Sequence, residues 1–223
     1  MKIKINEIFE DIEGEGALQG FGTLFIRFSG CNLRCRWCDT KGSYMKGTYM
    51  TVPELVRTVK KSPYKYINIT GGEPLVQKKM LKELLWEIKR KCPDKFVSIE
   101  TNGSKNISGL KAHSINMDIK PPSSGVCREM DLDNLKRLKK KDQVKAAVSG
   151  DKDMEYILEI LKKHRTKASV VIQPVFGKIS PKKIGGFIMK NRVSWRLGVQ
   201  MHKIPGGTRG LKKILRTPDG GRG

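Results

Sequence analysis

The feature that most constrains the fold is an alternation. Short apolar runs rich in β-branched and aromatic residues trade places with amphipathic stretches along most of the chain. Thr23–Phe28, Tyr66–Thr70, Phe96–Glu100, Ser114–Asp118, Gln143–Val148 and Ala168–Gln173 each read as a strand. Helical patterns lie between them. Thr51–Lys61 has Thr51 as N-cap and Pro53 in its first turn. Gln77–Lys91 sets Leu81, Leu84, Leu85 and Ile88 on one face. Leu132–Lys140, Asp151–His164 (opened by Asp151) and Pro181–Lys190 read as further helices. Trp195–Met201 reads as extended, and Ile3–Phe9 as an added strand. Such alternation builds βαβ units and a parallel sheet. A closed eight-fold barrel takes about 250 residues; 223 residues leave room for roughly six units. The expectation is an α/β fold, a partial, open (β/α)6-type barrel over residues 1–206. A basic, flexible tail over 207–223 is expected to follow, disordered from Thr217 onward.

No apolar run approaches about 18 residues, so no transmembrane helix and no membrane partner is expected. The charged start, Met1-Lys2-Ile3-Lys4, lacks the apolar stretch of a signal peptide. The cytoplasm is the expected location. Lys and Arg number 45 against 22 Asp and Glu, a net charge of +23. A field of that sign attracts nucleic acids and other anions. The lysines are spread along the chain, at 60–61, 78–79, 139–141, 162–163, 182–183 and 212–213. Zinc-finger spacing and an aromatic RNA-binding signature are both missing. Nucleic acid is therefore expected as a non-specific partner.

Three of the five cysteines, Cys31, Cys35 and Cys38, fall within eight residues, directly after a strand. In a cytosolic chain that clustering favours metal over disulfides. Thiolates suit zinc or iron–sulfur clusters. Structural zinc asks for four ligands, and neither Cys92 nor Cys127 lies in a matching knuckle. Three thiolates on a four-iron cluster leave one iron open to another ligand.

The spacing Cys31-x3-Cys35-x2-Cys38, with Trp37 before the last cysteine, resembles the radical S-adenosylmethionine (SAM) superfamily. Thr70-Gly71-Gly72-Glu73-Pro74, at the end of the next strand, resembles its second motif. The resemblance implies a 4Fe–4S cluster on Cys31, Cys35 and Cys38, and SAM held by Trp37, Cys38, Asp39, Gly72, Asp118, Ile119, Lys120, Gln173, Pro174, Val175 and Phe176.

A narrower resemblance covers most of the chain and points to the 7-carboxy-7-deazaguanine synthase family. It rests on Glu7–Gly16, Gly22–Gly30, Asp39-Thr40, Glu100–Gly103, Asp118–Pro122, Gln173-Pro174 and Gln200–Lys203, in that order. It implies a 6-carboxytetrahydropterin substrate in contact with Ile12, Glu13, Gly14, Glu15, Arg27, Thr70 and His202. It further implies Mg²⁺ on Thr40, an electron donor of the flavodoxin or ferredoxin type, and a homodimer. The family's usual Gln in the substrate loop is Glu13 here, and the chain runs past the point where some members end. Two other readings compete: an activase that makes a glycyl radical on a partner enzyme, and an RNA-binding iron–sulfur protein.

Overall fold

The computed structural model describes residues 2–203 and 212–216. In chain order the elements are β1 (Lys2–Ile12), β2 (Gly22–Phe28), β3 (Thr48–Thr51), α1 (Val52–Lys61), β4 (Tyr66–Gly71), α2 (Lys78–Lys91), β5 (Phe96–Thr101), β6 (Ser114–Asp118), α3 (Asn134–Arg137), β7 (Gln143–Val148), α4 (Asp151–Lys163), β8 (Ser169–Pro174), α5 (Pro181–Asn191), β9 (Trp195–Leu197) and β10 (Lys212–Arg216). They form one sheet in the order β10-β1-β2-β4-β5-β6-β7-β8-β9, with β3 also on β1. From β2 to β9 every pairing is parallel. β1 runs antiparallel to β2, β3 and β10. The sheet curls without closing, an open partial barrel of the expected kind.

Side chains on each parallel strand alternate between two environments, because the strand period is two. Ile67, Ile69, Val97, Ile99, Val144 and Ala146 join the core beneath the helices, with Leu81, Leu84, Leu85 and Ile88 of α2. Burying each of these leucines and isoleucines contributes about 2 kcal/mol. The other parity faces the barrel interior and changes character with height. Tyr66 and Phe96 stand at the strand starts, and the neutral Asn68, Ser98, Asn116 and Gln143 are buried above them. Thr70, Glu100, Asp118 and Lys145 reach a cavity near the strand ends.

Local chemistry sets the helix boundaries. The Thr51 hydroxyl accepts from the Glu54 amide while Glu54 reaches back to the Thr51 amide, a complete capping box. The expected helix over Leu132–Lys140 shrinks to one turn, α3. Asn134 spends its side chain on the 103–107 loop, and Asp142 takes the Lys139 amide, pulling the chain out of helical geometry. Asp151 is the first helical residue of α4, but Gly150 holds the cap position. Trp195–Met201 is extended only over β9; residues 201–203 turn back as a 3-10 helix. The tail also departs from expectation, because β10 pairs with β1 at the sheet edge. The disorder expected from Thr217 onward lies outside the described residues.

Candidate active site

The cavity, about 340 Å³, sits at the C-terminal ends of the parallel strands. Ligands collect there in open parallel sheets because each strand hands its chain to a loop at that end. The loop after β2 brings Cys31, Cys35, Trp37, Cys38, Asp39 and Thr40 to the wall. All three thiols are free and half-buried. Burial pushes the Cys31 thiol up from its ordinary value, aided by the charges of Glu73 and Cys38. Burial likewise raises Cys35, with Cys38 and Cys31 among its neighbours. Cys31 and Cys35, kept protonated by burial, suit a cationic cluster that would hold them as thiolates. The Leu33 amide donates to Cys31 Sγ at 3.4 Å and Asn102 Nδ2 lies 3.8 Å from it, second-layer contacts of the kind that tune such sulfurs. Thr40 Oγ1 stands 3.8 Å from Cys38 Sγ on the same wall.

Gly71 and Gly72 are glycines for a packing reason. A Cβ on Gly72 would fall 2.4 Å from the Gly30 carbonyl oxygen, and one on Gly71 2.5 Å from that of Phe28. Their small size lets β4 lie against the loop that carries the cysteines. Glu73, fully buried, takes the amides of Leu75 and Asn102 and the Thr101 hydroxyl, so one carboxylate binds this motif to the end of β5.

A charged network crosses the middle of the cavity. Glu15 accepts from Lys145 Nζ at 2.6 Å, Gln173 Nε2 at 2.9 Å and Gln200 Nε2 at 2.5 Å. Burial alone would raise the Glu15 carboxyl; the Lys145 charge and these bonds reverse that and hold it well below the usual carboxylate range. Lys145 is buried too, yet Asp118, Glu15 and Glu100 keep it firmly protonated. Lys120 pairs with Asp118 at 2.9 Å, and Thr70 donates to Glu100 at 2.9 Å. Arg27 lines the cavity at 15% side-chain exposure, with Nε on Glu7 at 2.8 Å and its guanidinium over the Phe9 ring. A carboxylate clamp would therefore use its two terminal nitrogens.

Of the residues singled out from the sequence, Gly72, Gln173, Val175 and Phe176 also line the cavity, with Glu15, Thr70, Asp118 and Lys120. Ile12, Gly14 and Ile119 do not. Pro174 lines a smaller neighbouring cavity of about 260 Å³. Glu13 lies under the loop, 4% exposed, accepting from Asn68 Nδ2 at 2.5 Å and from the Glu15 amide. The His202 side chain lies outside the described residues. Sequence reasoning gave no role to Lys145, Glu100, Gln200 or Lys203, which all reach the cavity. Lys145 was legible in principle: the alternation Gln143–Lys145–Ala147 puts a charge on the interior parity of a central strand. Lys203 pairs with Asp39 at 3.1 Å, and the Met201 amide bonds the Gly14 carbonyl, so residues 201–203 are tied to both the cysteine loop and the N-terminal loop.

A family model described as Radical SAM superfamily matches residues 25–177, the span carrying the cysteine loop and most of the cavity wall. The chain is 40% identical over 205 residues to the 7-carboxy-7-deazaguanine synthase of Methanospirillum hungatei, covering 92% of this chain and 86% of that protein. It is 39% identical over 214 residues to that of Clostridium acetobutylicum, covering 92% and 96%. Its fold resembles the crystal structure of QueE from Escherichia coli, with a TM-score of 0.71 at 22% identity, over 90% of this chain and 94% of that one. The chain belongs to the radical SAM superfamily and, within it, to the 7-carboxy-7-deazaguanine synthase family.

Proposed function

We propose that the chain converts 6-carboxy-5,6,7,8-tetrahydropterin to 7-carboxy-7-deazaguanine with loss of ammonia, a carbon–nitrogen lyase reaction that supplies 7-deazapurines to nucleosides such as queuosine or archaeosine. One observation carries this reading: the cysteine loop, the Gly71-Gly72 turn and a network of paired charges share one cavity. Cys31, Cys35 and Cys38 would hold the 4Fe–4S cluster. Together with bound SAM and one electron it supplies a 5′-deoxyadenosyl radical.

The chain's own residues bind, orient and exclude water. Arg27 would face the substrate carboxylate with its terminal guanidinium nitrogens. Glu15, held ionised by Lys145, Gln173 and Gln200, presents a fixed acceptor for the amidine side of a pterin. Thr40 would give one oxygen to Mg²⁺, a cation that takes few protein ligands and fills the rest with water and substrate oxygens. Asp118, Lys120 and the turn from Gln173 to Phe176 would bind SAM. The contacts of Gln200–Lys203 with the N-terminal loop and with Asp39 would help keep water from a reactive intermediate. The electron would come from a flavodoxin or ferredoxin, and the working form would be a cytoplasmic homodimer. Among the described residues no helix is long and apolar enough to cross a membrane.

The test is anaerobic reconstitution with iron and sulfide, followed by SAM, reductant, Mg²⁺ and the carboxytetrahydropterin. The expected products are 7-carboxy-7-deazaguanine, ammonia and 5′-deoxyadenosine. Cleavage of SAM without a deazapurine would overturn the substrate assignment and leave the cofactor assignment standing.

A further inference from the structure

The charge of +23 has a direction that the sequence order hides. The parallel strands β4 to β9 all begin at the end of the barrel remote from the cavity. The turns that feed them, 60–65, 89–95, 111–113, 138–142, 162–168 and 190–194, therefore meet on one face. Each presents exposed cations, Lys61, Lys89, Lys111, Lys140, Lys163 and Arg192 among them, while Glu87 pairs with Arg90 and Lys91. The acidic residues of these turns are Asp94 and Asp142; Asp142 is buried, its carboxylate taken by the amides of Ile115 and Lys139. Three lysine groups far apart in the chain, 60–61, 139–141 and 162–163, thus converge. Helix dipoles account for cations in the last turns of α1, α2 and α4. They do not account for Lys65, Lys111, Lys140, Arg165 and Lys167, which lie past the helix ends.

A strip of rings crosses the same face. Phe21, Tyr66, Phe96 and His113 sit at or just before four adjacent strand starts, with successive centroids 4.6, 5.8 and 4.9 Å apart. Phe21 is 49% exposed, and His113 is exposed at the other end. Cations around an accessible aromatic strip are how sequence-tolerant single-strand binders hold phosphates and stack bases.

We propose that this face docks single-stranded RNA, its phosphates on the turn cations and an unpaired base on the ring strip, leaving the cavity at the opposite end free. An anionic membrane would also draw the cations and take exposed rings at its interface, so binding of phosphatidylglycerol vesicles is one arm of the test. A duplex would offer no open base face to the strip.

The probe is a fluorescent single-stranded RNA of mixed sequence, titrated by anisotropy with the full chain at about 0.1 M salt. Lys140→Glu/Lys163→Glu removes two cations from the face. Lys79→Glu/Lys182→Glu makes the same charge change with exposed residues near the N-termini of α2 and α5, at the cavity end. The face variant is expected to bind at least ten-fold more weakly, with a salt slope shallower by about 1.4, since each phosphate left without its cation removes about 0.7. The control is expected to weaken binding by less than about two-fold, and both to cleave SAM as the parent does. Phe21→Ala is expected to weaken single-stranded RNA several-fold and leave duplex RNA unchanged. Equal weakening in the two charge variants would overturn the proposal, since net charge alone would then explain binding. So would face-dependent binding of phosphatidylglycerol vesicles without face-dependent RNA binding, or RNA that competes with the carboxytetrahydropterin for the cavity.

Discussion

The two ends of the barrel handle charge in opposite ways. At the cavity end, charges are paired and mostly withdrawn from solvent: Glu15 with Lys145 is buried, Asp118 with Lys120 and Arg27 with Glu7 are half-buried, and Asp39, exposed at the rim, pairs with Lys203. At the far end, cations project from the turns; Glu87 pairs with Arg90 and Lys91, and Asp94 is the exposed carboxylate of those turns. Buried pairs hold geometry, because a charge stripped of its partner in a low dielectric is expensive. Exposed cations hold none; they create a field that salt screens within about 10 Å. One end is therefore built for a defined small molecule and the other for loose attraction to a polyanion.

Cysteine replacement should break the comparison most sharply. Cys35→Ala is expected to abolish cluster assembly and reductive SAM cleavage, read as iron content and 5′-deoxyadenosine. Cys92, the C-cap of α2 at the far end, is expected to leave both intact when replaced by Ala. Persistent SAM cleavage in Cys35→Ala would remove the thiol from the cluster.

The paired network comes next. Lys145→Met leaves the Glu15 carboxylate buried without its cation, a cost of about 3–5 kcal/mol. The melting temperature should fall by about 10 °C and turnover by at least ~100-fold. Adding Glu15→Gln removes the stranded charge and should restore most of the stability but not the turnover. If the double variant melts as low as the single one, Lys145 acts through packing instead.

A smaller effect is expected at Arg27. Arg27→Lys keeps the charge and loses the planar fork. The apparent KM for the pterin should rise about ten-fold, the worth of one charge-assisted bond. SAM affinity should stay as it was. Equal kinetics would leave Arg27 as the partner of Glu7 and Phe9 alone.

Much of the cavity end was legible because its chemistry is local. The cysteines, Thr40 and the Gly71-Gly72 turn are short motifs in the sequence, and β6 and β7 stand at their expected bounds because β-rich runs between turn residues leave little choice. What escaped depends on distant partners. Lys145 becomes a site residue through Glu15, 130 positions away. The one-turn α3 is decided by Asn134 reaching a loop about 30 residues back. β3 and β10 exist because β1 offers both of them pairing, which no local pattern records. The far end was illegible for the same reason: its lysines look scattered until a parallel sheet collects the strand starts.

The finest test lies between the two ends, at the pair of glutamates in the N-terminal loop. Glu15 belongs to the charged mouth, whereas Glu13, two residues earlier, drops beside Asn68 in the neutral layer. Burial, with Glu100 nearby, pushes the Glu13 carboxyl up to about 8 against the bonds from Asn68 and the Glu15 amide. At neutral pH it is then an uncharged donor and acceptor, much as a Gln would be in that place. Unfolded, it titrates near its ordinary 4.5. Between those values the folded state holds the extra proton, so the group's contribution to stability falls as pH rises through the window. Glu13→Gln removes that titration. Its melting temperature should match the parent's near pH 4.5 and exceed it increasingly up to about pH 8, by about 10 °C above that. Turnover at pH 7 should change little, because a neutral group replaces a neutral group. Thermal scans from about pH 4.5 to about pH 9, either side of that window, check the sign. A parent that gains stability relative to the variant as pH rises would mean that Glu13 is ionised, and that the charged mouth extends one layer deeper than the geometry indicates.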